Sequence, residues 1–183
     1  MKTFKARIRR FFWDLQYIFL NSFVANFPSW KFRKVIYCMC GMKIGKRSRI
    51  GIGTSVVTPR GIIIGERSVI NEKCYLDGRS GITIGNDVSI SFGTVLITGT
   101  HSLNSDDFHY VGHEVLIEDH VWVGTHAIIL DGSIIHSKAV IGAGCVFKGV
   151  ADESGVYVGN PPKMIKSRNS NCNYEIDYSP FFR

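Results

Sequence analysis

The chain has 183 residues, 45% of them hydrophobic and 20% charged, with a formal net charge of +7. That length carries one domain with a real core, and the balance excludes a disordered chain or a membrane bundle. The positive excess is local: residues 1–49 hold twelve Lys or Arg and one acid, Asp14, whereas the remainder holds ten basic and fourteen acidic residues. This excludes a broad nucleic-acid surface and points to a local anionic contact such as phospholipid.

The five cysteines, Cys38, Cys40, Cys74, Cys145 and Cys172, are odd in number and show no metal-ligand spacing. They read as small buried residues of a reducing compartment. The basic start is followed by an apolar stretch broken by Asp14, Gln16, Asn21 and Ser22, with no clear cleavage site. The expectation is no signal peptide and no membrane span.

Residues 4–24 predict a helix. Phe4, Ile8, Phe11, Phe12, Leu15, Ile18, Phe19 and Phe23 fall near helical spacing, with Lys5, Arg9 and Arg10 off the stripe. Pro28 and Ser29 break it, and a second helix is expected from Trp30 to Met39, ending at Gly41. Two roles compete for residues 1–43: a cap over an open end of the core, or a helix lying in a membrane interface.

A period of six then sets in. Units open at Ile44, Ile50, Val56, Ile64, Ile70, Leu76, Ile84, Ile90 and Leu96, with two residues added at 62–63 and again at 82–83. Openers at 44, 64 and 84 imply three units per turn and a triangular prism. The phase stops at 102–114, a polar stretch that reads as a projecting loop. It resumes over 117–146, where five gapless units open with Ile or Val and carry Val121, Ala127, Ser133, Ala139 and Cys145 at the fifth place. Such a period suits a stacked β-helix, with the opener inside and the small residue at the corner. Pro161 and Pro162 end the coil. The expected domains are a basic helical segment at 1–43, a β-helix at 44–162 with the loop 102–114, and a tail at 163–183.

Together, the hexapeptides, Thr100-His101-Ser102, Val121-Trp122-Val123-Gly124, Ile141-Gly142-Ala143-Gly144 and Gly159-Asn160-Pro161-Pro162-Lys163 resemble the hexapeptide-repeat acetyltransferases. Within them the chain looks most like the maltose/galactoside O-acetyltransferases and their capsule and lipopolysaccharide relatives. The likeness covers roughly residues 41–168. It implies an all-β fold, a left-handed parallel β-helix, which departs from the usual right-handed crossover. It also implies a homotrimer with sites between subunits, and acetyl-CoA as co-substrate. A cytosolic location follows from the intracellular pool of CoA.

His101 is the expected catalytic base, since an imidazole can take a proton from an attacking sugar hydroxyl near neutral pH; the matching family histidine has this role. Asn71 and Asp77 are the expected substrate contacts, Asp77 as a residue that orients either His101 or a sugar hydroxyl, and Arg79 stands near where galactoside enzymes carry a sugar-binding acid. For the coenzyme the resemblance points to Trp122, Thr125 and Ala143, with Lys148, Lys163 and Lys166 for the phosphates. His109 and His113 read as loop or rim residues; His120, His126 and His136 read as turn surface. No metal is expected, because the paired-histidine spacing of the zinc hydratases that share this coil is not evident. The rival readings are an N-acetyltransferase of an amino sugar nucleotide, a zinc hydratase, and a non-catalytic scaffold.

Overall fold

The computed structural model describes residues 4–168 and 172–178. Residues 1–3 of the expected N-terminal segment, and 169–171 and 179–183 of the expected tail, lie outside the described residues. The body is a parallel β-helix of about six turns, built of three walls. The first wall stacks Lys43–Ile44, Ile62–Ile64, Ile82–Ile84, Val115–Ile117, Ile134–Ile135 and Val150–Ala151. The second stacks Arg49–Ile50, Val69–Ile70, Ser89–Ile90, Trp122–Val123, Val140–Ile141 and Gly155–Val158, closed by antiparallel Lys163–Ser167. The third holds Ser55–Val57, Tyr75–Asp77, Val95–Leu96, Ile128–Ile129 and Val146–Phe147.

The repeat dictates this arrangement. Ile50, Ile70, Leu76, Ile90, Leu96, Ile117, Ile129 and Ile141 all open their units, and all are fully buried along the prism axis. Each contributes about 1.5–3 kcal/mol relative to an exposed side chain. The fourth place turns the corner: Arg47, Arg67, Lys73, Asp87, His120, His126 and Lys138 all have φ between 54° and 65°. His120 and His126 are therefore corner residues, as expected for turn surface. Hydroxyls at the fifth place hold the coils together: Ser68 Oγ donates to the Gly85 carbonyl at 2.7 Å, and Thr94 Oγ1 to the Gly124 carbonyl at 3.1 Å.

The register shows where the loop leaves the stack. Ile44 faces Ile64, Ile64 faces Ile84, Ile84 faces Ile117 and Ile117 faces Ile135. The added residues at 62–63 and 82–83 lengthen first-wall strands, and residues 97–114 are inserted at the corner before Val115–Ile117, which still pairs directly with Ile82–Ile84 of the coil below. The expected loop is not irregular throughout: Gly99–His101 and Tyr110–Gly112 form an antiparallel pair at its base.

At the N-terminus, α1 (Phe4–Ile18) runs on into a π-helical turn, Phe19–Val24, and α2 (Trp30–Met39) follows with Ser29 as its N-cap. The open first coil is covered by Leu20, Val24, Tyr37 and Met42, all buried in the main core cluster. Arg33 is fully buried beneath α2 and donates to the carbonyls of Phe27 at 2.6 Å and Ile50 at 2.9 Å. The cap thus belongs to residues 20–42, whereas α1 buries no residue. Segment 172–178 returns along the edge between the first and second walls, with Tyr174 donating to the His120 carbonyl and the Ile176 N–H donating to Asp87.

Candidate active site

The edge between the third and first walls carries His101, Asp77, Arg79 and Lys148. His101 ends the first strand of the hairpin and is exposed. Its ring stacks on Phe108, with centroids 4.1 Å apart and planes 6° from parallel, and meets Tyr110 edge-on at 6.2 Å. Its Nδ1 lies 2.8 Å from the Phe108 carbonyl oxygen. A carbonyl can only accept, so Nδ1 carries the proton and Nε2 keeps its lone pair. Among the described residues Nε2 has no partner.

Beneath the hairpin, the corner Leu76–Gly81 is held by one carboxylate. Asp77 is fully buried. Its oxygens accept from Arg79 Nε and Nη2, both at 2.8 Å, from the Arg79 N–H at 3.2 Å, and from the Thr98 N–H at 3.4 Å. Burial opposes its ionisation, but the Arg79 side chain, the backbone donors and the guanidinium charge outweigh it and hold the carboxyl below its usual value. Asp77 does not orient His101; the Phe108 carbonyl does. Arg79 lies over the Tyr110 ring at 5.2 Å, and the Tyr110 hydroxyl is 2.6 Å from Ser80 Oγ. Asp77 therefore reaches His101 only through Arg79, Tyr110 and the hairpin.

Arg79 and Tyr110 also line a cleft of about 890 Å³ whose body side is formed mainly by residues 56–60. Phe12, Trp13, Asp14, Gln16 and Tyr17 of α1 form the other side, and Arg60 and Arg79 approach from the body. Arg60 sits over Trp13 at 5.5 Å. Higher on the same edge, Lys148 binds Asp131 at 2.8 Å, and His113 Nδ1 lies 3.2 Å from the same carboxylate. The Lys148 ammonium, burial acting against it, and His113 together place the Asp131 carboxyl below its usual value. His109 pairs with Asp107 at 2.7 Å on the exposed loop, and His136 with Glu118 at 3.0 Å.

The remaining candidates lie on a different edge, between the second and third walls. Asn71 follows a second-wall opener; its N–H and its Nδ2 both donate to the Ile90 carbonyl, at 2.8 and 3.1 Å. Trp122 is half exposed and donates from Nε1 to Ser91 Oγ at 3.0 Å. Thr125 and Ala143 are exposed on consecutive coils, joined by the Gly144 N–H donating to the Thr125 carbonyl at 2.9 Å. Neither the Thr125 nor the Ala143 N–H has a hydrogen-bond partner among the described residues. Lys163 and Lys166 stand exposed on the closing strand. One chain thus brings together Asn71, Trp122, Thr125 and Ala143 on one edge, and Asp77, His101 and Lys148 on another. No hydrogen bond or ring contact joins Asn71 to His101 among the described residues.

Sequence reasoning did not single out Phe108, Tyr110, Ser80, Arg60, Trp13 or Tyr17. Phe108 and Tyr110 flank His109 at the end of the insertion, and that pair of aromatics was the available signal. Trp13 and Tyr17 are spaced four apart on a helix, a signal that cannot say what faces them. Among the described residues no three His, Cys, Asp or Glu converge as metal ligands.

No family model matches the chain. Its fold is that of the hexapeptide-repeat acetyltransferases. The Vibrio cholerae hexapeptide-repeat acetyltransferase complexed with acetyl-CoA superposes with a TM-score of 0.78 at 22% identity, covering 92% of each chain. A galactoside acetyltransferase in complex with coenzyme A superposes at 0.77 with 19% identity, over 97% of this chain and 92% of that one. Among curated proteins, a Schizosaccharomyces pombe protein named as an acetyltransferase is 33% identical over 105 residues, 56% of this chain and 51% of that protein. The match thus spans about half the length of that relative. Two proteins of Escherichia coli K12 match over more of their length. The one named for colanic acid biosynthesis, WcaF, is 28% identical over 76% of both chains. The one named as a lipopolysaccharide biosynthesis O-acetyl transferase, WbbJ, is 26% identical over 70% of this chain and 72% of itself.

Proposed function

We propose that this protein transfers acetyl from acetyl-CoA to a sugar hydroxyl during the synthesis of a surface polysaccharide, on the cytosolic side of the membrane, with His101 as general base. The observation that carries the reading is the state of His101. Its proton is pinned on Nδ1 by the Phe108 carbonyl, its ring is held flat by Phe108, and Nε2 is left without a partner among the described residues on an exposed side chain. In the reaction the acceptor O–H gives its proton to Nε2 as its oxygen attacks the thioester carbonyl. The carbon–sulfur bond breaks, and the proton passes on to the departing thiolate. A positioned base of this kind contributes about 10²- to 10⁴-fold. The relatives named for colanic acid and lipopolysaccharide biosynthesis support the acceptor class.

The residues of the second edge fit the co-substrate. An extended pantetheine arm calls for unpartnered backbone groups along a straight ridge. Thr125 and Ala143 offer two such N–H groups on consecutive coils, beside the Trp122 face. Lys163 and Lys166 supply phosphate-binding charge at the end of the same wall, whereas Lys148 stands on the His101 edge, already paired with Asp131. Because the base and this ridge occupy different edges, the working unit is a homotrimer in which one chain's His101 edge meets another's Asn71–Thr125–Ala143 edge. In that unit Asn71 contacts the acceptor and the thioester end, and Asp77 serves the acceptor site by holding Arg79. No nucleic acid takes part.

The test is acceptor-dependent thiol release from acetyl-CoA, run with neutral sugars, uronates, amino sugars and sugar nucleotides, together with the subunit mass in solution. Release that needs a hydroxyl acceptor, from a trimer, supports the reading. Release only with amino sugars would move the reaction to nitrogen; a monomer with full activity would remove the shared site.

A further inference from the structure

We infer that α1 docks this protein onto the surface of an anionic phospholipid bilayer. On a helical wheel Phe4, Ile8, Phe11, Leu15 and Ile18 fall within one narrow stripe. An amphipathic helix of a globular protein turns such a stripe inward, yet here the five side chains are 77, 43, 63, 52 and 54% exposed. The opposite side of the helix, through Gln16, Trp13 and Tyr17, faces the body and lines the cleft. The body is therefore already on the opposite side of α1, and the apolar stripe is left exposed among the described residues. Phe19, Phe23 and Phe27, and Val35 and Met39 of α2, are exposed as well.

Charge decides what covers it. Lys5 and Arg7 flank the stripe, Arg10 lies further round the helix, Arg9 reaches over Trp13 at 5.4 Å, and Lys31 and Lys34 add positive charge on α2, against the single acid Asp14. A second copy docked patch to patch would bring the same cations to the contact, where like charges repel. An anionic bilayer accepts both parts: aromatic and aliphatic groups enter the acyl boundary while Arg and Lys reach the phosphates. No helix among the described residues is long and apolar enough to cross a membrane, so the geometry is that of a helix lying in the interface. Since Trp13 and Tyr17 lie on the inner side of the docked helix, the cleft opens beside the bilayer.

The experiment is co-sedimentation of the full-length protein with vesicles of phosphatidylcholine alone, or with one third phosphatidylglycerol, at low and high salt. Binding is expected to the anionic vesicles and to weaken as salt rises. The triple variant Arg7→Gln, Arg9→Gln, Arg10→Gln should lose on the order of 100-fold in partitioning. Phe11→Ser with Leu15→Ser should lose a comparable factor while keeping the wild-type thermal transition, because α1 buries nothing. Subunit mass by light scattering is read on the same samples. Equal sedimentation with and without phosphatidylglycerol, no sedimentation at all, or stripe variants that change the oligomer rather than the partitioning would overturn the inference. The readout needs no enzymatic turnover, so it stands or falls separately from the acetyl-transfer reading.

Discussion

Replacing Asp77 by Asn tests whether one carboxylate organises the corner beneath His101. The side chain is completely buried, whereas its partner Arg79 keeps 46% of its side chain exposed. Breaking a fully buried pair costs about 3–5 kcal/mol. Solvent around Arg79 reduces that, and Asn still accepts from the Arg79 and Thr98 N–H groups, which leaves about 2–3 kcal/mol. The assay is urea unfolding followed by tryptophan fluorescence at one fixed protein concentration, so that any assembly contributes equally. The pH dependence follows from the sign of the shift. The folded carboxyl lies below its ordinary value, so its contribution is present above that value and is lost as pH falls through the folded one. The gap between wild type and variant should therefore be full at pH 7 and narrow below about pH 4. Arg79→Ala should cost at least as much as Asp77→Asn, and the double variant should show strong coupling. A loss under about 0.5 kcal/mol for Asp77→Asn, the level of an ordinary surface change, would refute the argument.

Three further outcomes follow from the same geometry. Ile90→Ala, fully buried on the second wall between Ile70 and Val123, should cost about 2–5 kcal/mol in the same unfolding assay. Gly124→Ala would place a Cβ 2.5 Å from the Ala143 nitrogen and 2.8 Å from the Gly142 carbonyl carbon. Neither backbone group can yield alone, so calorimetry should show weakened CoA binding and circular dichroism a lowered melting temperature. Phe108→Ala keeps the carbonyl that holds His101 Nδ1 but removes the ring stacked on it. The expected result is kcat lower by roughly ten- to a hundredfold with CoA affinity unchanged; an unchanged kcat would show that the stacking does not position the base.

The prism was legible because its physics is local. An opener every six residues and a small residue at the fifth place are each readable from residue type, whereas the left-handed corner at the fourth place, filled by Arg, Lys, Asp or His, is not. Both helices could be bounded for the same reason, by Pro28, Ser29 and Gly41. What periodicity could not convey is which body a stripe faces. The α1 stripe has core-like spacing, yet it points away from the core, and the cap is made by Leu20, Val24, Tyr37 and Met42 instead. The insertion hid its own order: the pairing of Gly99–His101 with Tyr110–Gly112 depends on a fold-back that no six-residue phase records. Asp77 illustrates a third limit. Its sequence marks a turn, but its commitment to the Arg79 side chain and to the Thr98 N–H on the next coil, and so its indirect relation to His101, exists only in the folded structure. The division of Asn71 and His101 between two edges was equally invisible, since a one-dimensional spacing of thirty residues does not say which walls they end on.

The most direct measurement of the central claim is acceptor-dependent thiol release by the wild type and by His101→Ala, with CoA affinity measured on both. The account predicts that the variant binds CoA as the wild type does, retains its melting temperature, and releases thiol about 10²- to 10⁴-fold more slowly. Equal rates from the two proteins would contradict it.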